Sequence, residues 1–257
     1  MLLTFFYFMF VKFLFIIRNK KSMEAFKMAV SLLVKNLSKH FDHTTFFIDD
    51  ISFSCEKGQI VGLIGENGAG KTTILNAVAG LDEDIHDIWF NQIQVDNNFF
   101  KTKVGFLPER LNLYDYLSIK ENIQFVSRVR NLKLKQEKLD TLLKKLNLYD
   151  YYDTSIRNLS KGMRKKFEFI ITIIHSPDLL LLDEPFDGLD PKQMIVMKEI
   201  LNELSVSGKT ILVSSHAISI VKDISSKILF INNGKLKHEI NITAEHTVQD
   251  LENLFYD

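Results

Sequence analysis

The sequence predicts an α/β protein with a mainly parallel core sheet, an antiparallel β subdomain and a helical lobe. Three observations carry that prediction. Ile60, Val61, Gly62, Leu63 and Ile64 form an unbroken apolar run that passes through a glycine-rich stretch into a helical pattern closed by Gly80. Two further apolar runs, Leu179 to Leu182 and Thr210 to Ser214, are each preceded by a helical stretch, the alternation expected of parallel strands buried on both faces. The stretch 30–53 instead has the spacing of a half-buried antiparallel pair.

Taken in order, Leu32, Val34 and Leu37 mark a first strand and Ile48, Ile51 and Phe53 a second, with a polar connection over 40–45. After a turn at Lys57-Gly58 come the apolar run at 60–64 and a helix over 71–79. The stretch 89–106 reads as β-rich. Helical periodicity marks 118–131 and 133–148, the first with Ser118 and Glu121 spaced as a capping box. An amphipathic helix over 162–175 stops before Pro177, and the leucine strand at 179–182 leads into Asp183-Glu184. Asp190-Pro191 starts a helix to about residue 204, a strand follows at 210–214, and Asn233-Gly234 joins a hairpin of 227–231 and 235–240 ahead of a short helix in the tail.

Hydrophobic residues make up 46% of the 257 and charged residues 25%, the balance of a globular protein and not of a disordered one. Lysines and arginines number 32, as do aspartates and glutamates, so no net field draws the chain to nucleic acid, and none is expected as a partner. A single cysteine, Cys55, excludes an intrachain disulfide and favours a reducing compartment. Residues 1–27 stand apart: Phe5, Phe6, Phe8, Phe10, Phe13 and Phe15 crowd an apolar run, with Lys12 near its middle and Arg18, Lys20 and Lys21 after it. Three readings apply, in order of preference: a start placed upstream of Met23 or Met28, a short membrane anchor, or a buried segment. A bilayer span needs about 20 apolar residues, and a lysine near its centre opposes insertion. The remainder, 28–257, reads as one domain with a helical lobe at about 110–175.

The chemistry concentrates in a few short motifs. Gly65, Glu66, Asn67, Gly68, Ala69, Gly70, Lys71 and Thr72 satisfy the P-loop pattern in its strand-to-helix setting, where backbone N–H groups and a helix N-terminus cradle phosphates; Thr73 extends the set. Lys71 is placed for the β/γ-phosphates of ATP, and the Thr72 hydroxyl for Mg²⁺, a hard cation that prefers oxygen. Asp183, ending four aliphatic residues, is spaced as a Walker B carboxylate for the same ion, and Glu184 beside it is the candidate general base. Standing alone, each could be a solvated turn or strand end.

Asn158, Leu159, Ser160, Lys161, Gly162 and Met163 resemble the signature motif of ABC ATPases. The order of P-loop, Phe106-Leu107-Pro108-Glu109, signature, Walker B, Gly188-Leu189-Asp190 and Ser214-Ser215-His216 is similar to that family's order from about residue 30 to the end. The resemblance implies a P-loop NTPase of ABC type that hydrolyses ATP. It implies a dimer, of identical or similar subunits, in which Ser160 and Gly162 reach the partner's nucleotide. It also implies that His216 sits near the γ-phosphate, that Asp190 links the two sites and that Phe41 stacks on adenine, although a chain with 21 phenylalanines leaves a core role open for Phe41. Glu109 stands where many members have glutamine and becomes a weaker Mg²⁺ candidate; Lys161 and Met163 also depart from the usual glycine and glutamine. These Leu-Pro-Glu and Ser-Lys-Gly-Met forms resemble ATPase subunits of ABC-2 exporters.

The leading expectation is therefore a transporter motor at the cytoplasmic face of the cell membrane, attached through a separate polytopic permease subunit. The alternative is a soluble ABC ATPase acting on ribosomes or nucleic acid, disfavoured by the single cassette and the absence of a basic stretch. A non-hydrolysing regulatory subunit is the third, opposed by the presence of Lys71, Asp183, Glu184 and His216 together.

Overall fold

Alternating buried and open positions draw the first described residues into strand β1 (Val30–His40), which pairs antiparallel with β2 (Phe47–Glu56). The computed structural model describes residues 30–40, 47–81 and 87–256; the N-terminal segment 1–27, most of the predicted 40–45 connection and Phe41 lie outside them. β4 (Asp87–Phe90) and β5 (Ile93–Gln94) complete an antiparallel four-stranded sheet in the order β2-β1-β4-β5. A second sheet contains β3 (Ile60–Ile64), β6 (Val104–Leu107), β7 (Leu179–Leu182), β8 (Thr210–Ser215), β9 (Lys227–Asn232) and β10 (Lys235–Asn241). Its order is β10-β9-β3-β8-β7-β6, parallel except for β10.

The core shows why the parallel strands read as continuous apolar runs. Leu180 and Leu182 of β7 face one buried cluster, Leu179 and Leu181 the other, and all four are almost fully buried. Burying one such side chain contributes roughly 1.5–3 kcal/mol, so neither face of β7 tolerates a polar residue. The second of these clusters joins the two sheets through α1 (Lys71–Val78). The first packs the parallel sheet against α3 (Ile119–Val129), α4 (Gln136–Lys145), α5 (Lys161–Ile173) and α6 (Pro191–Val206). The expected capping box is present: the Ser118 hydroxyl accepts from Glu121 N–H at 3.2 Å and the Glu121 carboxylate accepts from Ser118 N–H at 2.8 Å.

The β-rich reading of 89–106 is corrected by α2 (Asn97–Lys103) between β5 and β6. Asp96 caps this helix by accepting from Phe99 N–H at 2.7 Å, and Lys101 and Lys103 lie in its last turn, where cations suit the helix dipole. The short α7 (Ile218–Lys222) was also outside the sequence reading, and α8 (Val248–Tyr256) forms the expected tail helix. The turn at Asn233-Gly234 has φ of +47° and +72°, as a tight hairpin requires. Strands β3, β8 and β7 are parallel neighbours, so their carboxyl ends open together on one edge, where ligands of such sheets collect.

Candidate nucleotide site

The loop after β3 is built around backbone and not side chains. Gly65 lies so close to β9 that a Cβ would come within 2.6 Å of the Ile231 carbonyl oxygen, and Gly70 reaches φ +111° as the cap of α1, a conformation side chains resist. No side chain caps α1, so the N–H groups of its first turn, from Lys71 to Thr73, are left for an acceptor outside the helix. The Lys71 ammonium spans the loop, donating to the carbonyls of Gly65 at 2.7 Å and Glu66 at 3.1 Å.

At the end of β7, the almost fully buried Asp183 joins loop and sheet. One carboxylate oxygen accepts from the Thr72 hydroxyl at 2.6 Å, and the other from the Ser214 hydroxyl at the end of β8. Ser214 Oγ also accepts from Glu184 N–H at 3.0 Å, so one hydroxyl holds both acidic positions in place. Glu184 is in the left-handed region at φ +45°, a sparsely populated conformation for a long side chain and of the kind found at functional sites. Its Oε2 lies 3.1 Å from His216 Nδ1 and its Oε1 3.8 Å from Lys71 Nζ, and the buried Oε1 accepts no hydrogen bond from a described residue.

These groups line a cleft of about 730 Å³, together with Asn67, Gly68, Gly70, Thr73, Glu109 and Asp187. The sequence thus placed Lys71, Thr72, Asp183, Glu184, His216 and Glu109 where the fold brings them together. Gly65, Glu66 and Ala69 form the back of the loop: the Ala69 carbonyl accepts from Gly234 N–H at 3.0 Å, tying the loop to the β9–β10 turn. Ser160, Gly162 and Asp190 do not line this cleft. Ser160 caps α5 by accepting from Met163 N–H at 3.2 Å, and Asp190 caps α6 by accepting from Gln193 N–H at 2.9 Å. Gly162 lies against the Gly188 carbonyl, where a Cβ would approach to 3.0 Å.

Two residues of the site were missed. Ser214 reads from sequence only as a strand end next to Ser215-His216; a small hydroxyl residue ending a buried strand beside the acidic strand was its available signal. Asp187 lines the cleft and its carboxylate accepts from Lys161 at 2.9 Å, which, with Lys161, holds its carboxyl below the ordinary aspartate range. Glu109 is steadied through its backbone, since the buried Lys165 ammonium donates to its carbonyl at 3.2 Å.

The donor set fits nucleotide with Mg²⁺. The loop offers N–H groups and an ammonium to phosphate, while the Thr72 hydroxyl and Asp183 carboxylate are adjacent hard oxygen donors. Among the described residues no group of three or more histidine, cysteine or acidic side chains makes a metal cage.

Residues 48–187 match the family described as ABC transporter. An uncharacterized ABC transporter ATP-binding protein of Methanocaldococcus jannaschii is 35% identical over 82% of this chain and 78% of its own length. A lantibiotic transport ATP-binding protein of Streptococcus pyogenes is 31% identical over 86% of this chain and 96% of its own. Among solved structures, the ATP-binding subunit of an ABC transporter superimposes with a TM-score of 0.80 at 26% identity, covering 88% of this chain and all of the other.

Proposed function

The chain belongs to the ABC transporter family and is an ATP-binding, ATP-hydrolysing subunit; from that premise we propose that it drives an exporter, with the cleft between Lys71 and Glu184 as its hydrolytic centre. The observation that carries this is the convergence of Thr72 and Asp183 at 2.6 Å beside a Glu184 whose Oε1 is buried and accepts no hydrogen bond.

Each residue has a distinct task in this reading. The loop amides and Lys71 hold the β- and γ-phosphates. Thr72 and Asp183 would hold Mg²⁺, with Glu109 as a weaker candidate, and the ion would neutralise charge on those phosphates. Glu184 accepts a proton from the attacking water, and its Oε1, which accepts no hydrogen bond from a described residue, is the atom available for it. His216, 3.1 Å from Oε2, orients that carboxylate and faces the γ-phosphate. Ser160 and Gly162, exposed or half-buried and away from the cleft, are the surface presented to the nucleotide of a second subunit, and Asp190 connects the two sites. Phe41 is proposed to stack on adenine. Residues 28–257 form the ATPase domain, with the helices of 110–175 as its lobe.

Export is supported by a relative of Ralstonia nicotianae named as a Nod factor export ATP-binding protein, 33% identical over 79% of this chain and 65% of its own length, and by the sequence forms around Glu109 and Ser160. No described helix is long and apolar enough to cross a membrane. In this proposal the membrane partner with which transporter ATP-binding subunits work is a separate polytopic subunit, which supplies the pathway and holds the ATPase, as a homodimer or with a similar chain, at the cytoplasmic face. The test is purification from detergent-solubilised native membranes of the full chain and of one starting at Met28. Both should retain one polytopic membrane protein; a preparation that carries ribosomes or nucleic acid and no membrane protein would overturn the proposal.

A further inference from the structure

Glu184 occupies an unfavourable backbone conformation, so something must hold it there. Its φ of +45° lies in the left-handed region, which a long side chain keeps only where surrounding contacts fix it. Its N–H donates to Ser214 Oγ at 3.0 Å, its carbonyl accepts from Asp187 N–H at 3.2 Å, and its Oε2 lies 3.1 Å from His216 Nδ1. Asp187 and His216 are exposed, whereas Ser214 is fully buried in β8. The rigid anchor is therefore Ser214.

Its place in the sheet explains why. β8 lies between β3, which leads into the phosphate loop, and β7, which ends at the acidic pair. Val213 pairs with Leu182, so Ser214 stands one step beyond the last paired residues of β7, beside the point where that strand gives way to Asp183 and Glu184. The hydroxyl has one proton, which goes to Asp183 Oδ1, and its oxygen is thereby turned to accept from Glu184 N–H. Removing it would affect the two acidic residues unequally. Asp183 would keep the Thr72 hydroxyl on its other oxygen at 2.6 Å, while the Glu184 amide would lose its acceptor.

We propose that Ser214 is a positioning residue for the hydrolytic step: its hydroxyl tethers the Glu184 backbone in the left-handed conformation and so fixes where the carboxylate stands. Ser214 does not itself line the nucleotide cleft, so it acts through Glu184. The inference rests on the reading of Glu184 as general base. Without the tether the backbone relaxes toward negative φ, and the carboxylate leaves its place beside Lys71 and His216. The loop from Gly65 to Thr73 makes none of its contacts through Ser214, so nucleotide binding is spared.

The test is Ser214→Ala in the full chain, with ATP turnover, calorimetric Mg-ADP affinity and amide hydrogen exchange at Glu184 read on the same preparation. The value of kcat should fall by about tenfold to a hundredfold, the loss typical of a catalytic group misplaced by about 1 Å, while KM and Mg-ADP affinity change by less than about threefold. The Glu184 amide should be protected in the unsubstituted protein and exchange about tenfold faster in the variant. In a Glu184→Gln background, Ser214→Ala should change the residual single-turnover rate by less than about twofold, because the group it positions is already lost. An unprotected Glu184 amide in the unsubstituted protein, an unchanged kcat in Ser214→Ala, or a further tenfold loss in the Glu184→Gln background would overturn the tether. Full turnover in Glu184→Gln alone would instead overturn the general-base reading beneath it.

Discussion

Lys71 is buried to 6% exposure within a loop that presents carbonyls to it on one side and Glu184 on the other. Replacing it leaves those carbonyls and the carboxylate without their cation and removes the charge proposed to hold the phosphates. Lys71→Ala should therefore weaken Mg-ATP binding or turnover by at least a hundredfold, read by calorimetry and phosphate release; an unchanged rate would remove the phosphate-site assignment. Lys71, Asp183, Glu184 and His216 were legible because each sits in a short motif at a strand or loop boundary. Ser214 was not, since its role depends on β8 lying beside β7, a neighbour relation that only the assembled sheet creates. Asp187 was missed for the same reason: its pairing with Lys161 joins residues 26 apart in sequence.

At the scale of elements, the strongly punctuated ones were readable and the weakly punctuated ones were not. The Ser118–Glu121 box and the Asp190-Pro191 start carry local chemistry that needs no tertiary context. Ser118→Ala removes one half of the reciprocal cap and should destabilise the protein by about 1 kcal/mol, seen as a lower urea midpoint with an unchanged slope. Helix α2 was misread because Phe99 and Phe100 favour strand by propensity, while their packing decides otherwise: Phe99 lies 5.0 Å from Phe90, ring centre to ring centre. The helix predicted over 133–148 ends earlier, at Lys145, because Asn147 adopts φ +54°.

For the whole molecule, one half-buried histidine couples the fold to pH. His175, at the end of α5, accepts burial as a neutral ring: its pKa is pushed down to about 4, chiefly by burial and next by the Arg130 charge. Its Nε2 lies 3.0 Å from the Val104 carbonyl, while the buried Nδ1 has no partner among the described residues. Because the unfolded ring binds its proton near pH 6.5 and the folded ring only near 4, stability falls as pH drops through that window. Glu168, whose pKa burial raises, acts in the opposite direction, so the comparison is between variants. His175→Gln should flatten the dependence of the urea midpoint on pH between 6.5 and 4; an unchanged slope would assign that dependence elsewhere.

The balanced charge and the nucleotide cleft leave the arrangement of two subunits as the feature on which the motor reading turns. Half of the proposed chemistry, Ser160 and Gly162, lies outside the cleft that holds Lys71 and Glu184. ATP is then bound completely only between two chains. Sedimentation velocity on Glu184→Gln with Mg-ATP measures this directly. The account predicts a dimer that persists with ATP, dissociates with ADP and shows almost no turnover. A variant that binds ATP yet stays monomeric, or that hydrolyses it at the unsubstituted rate, would contradict it.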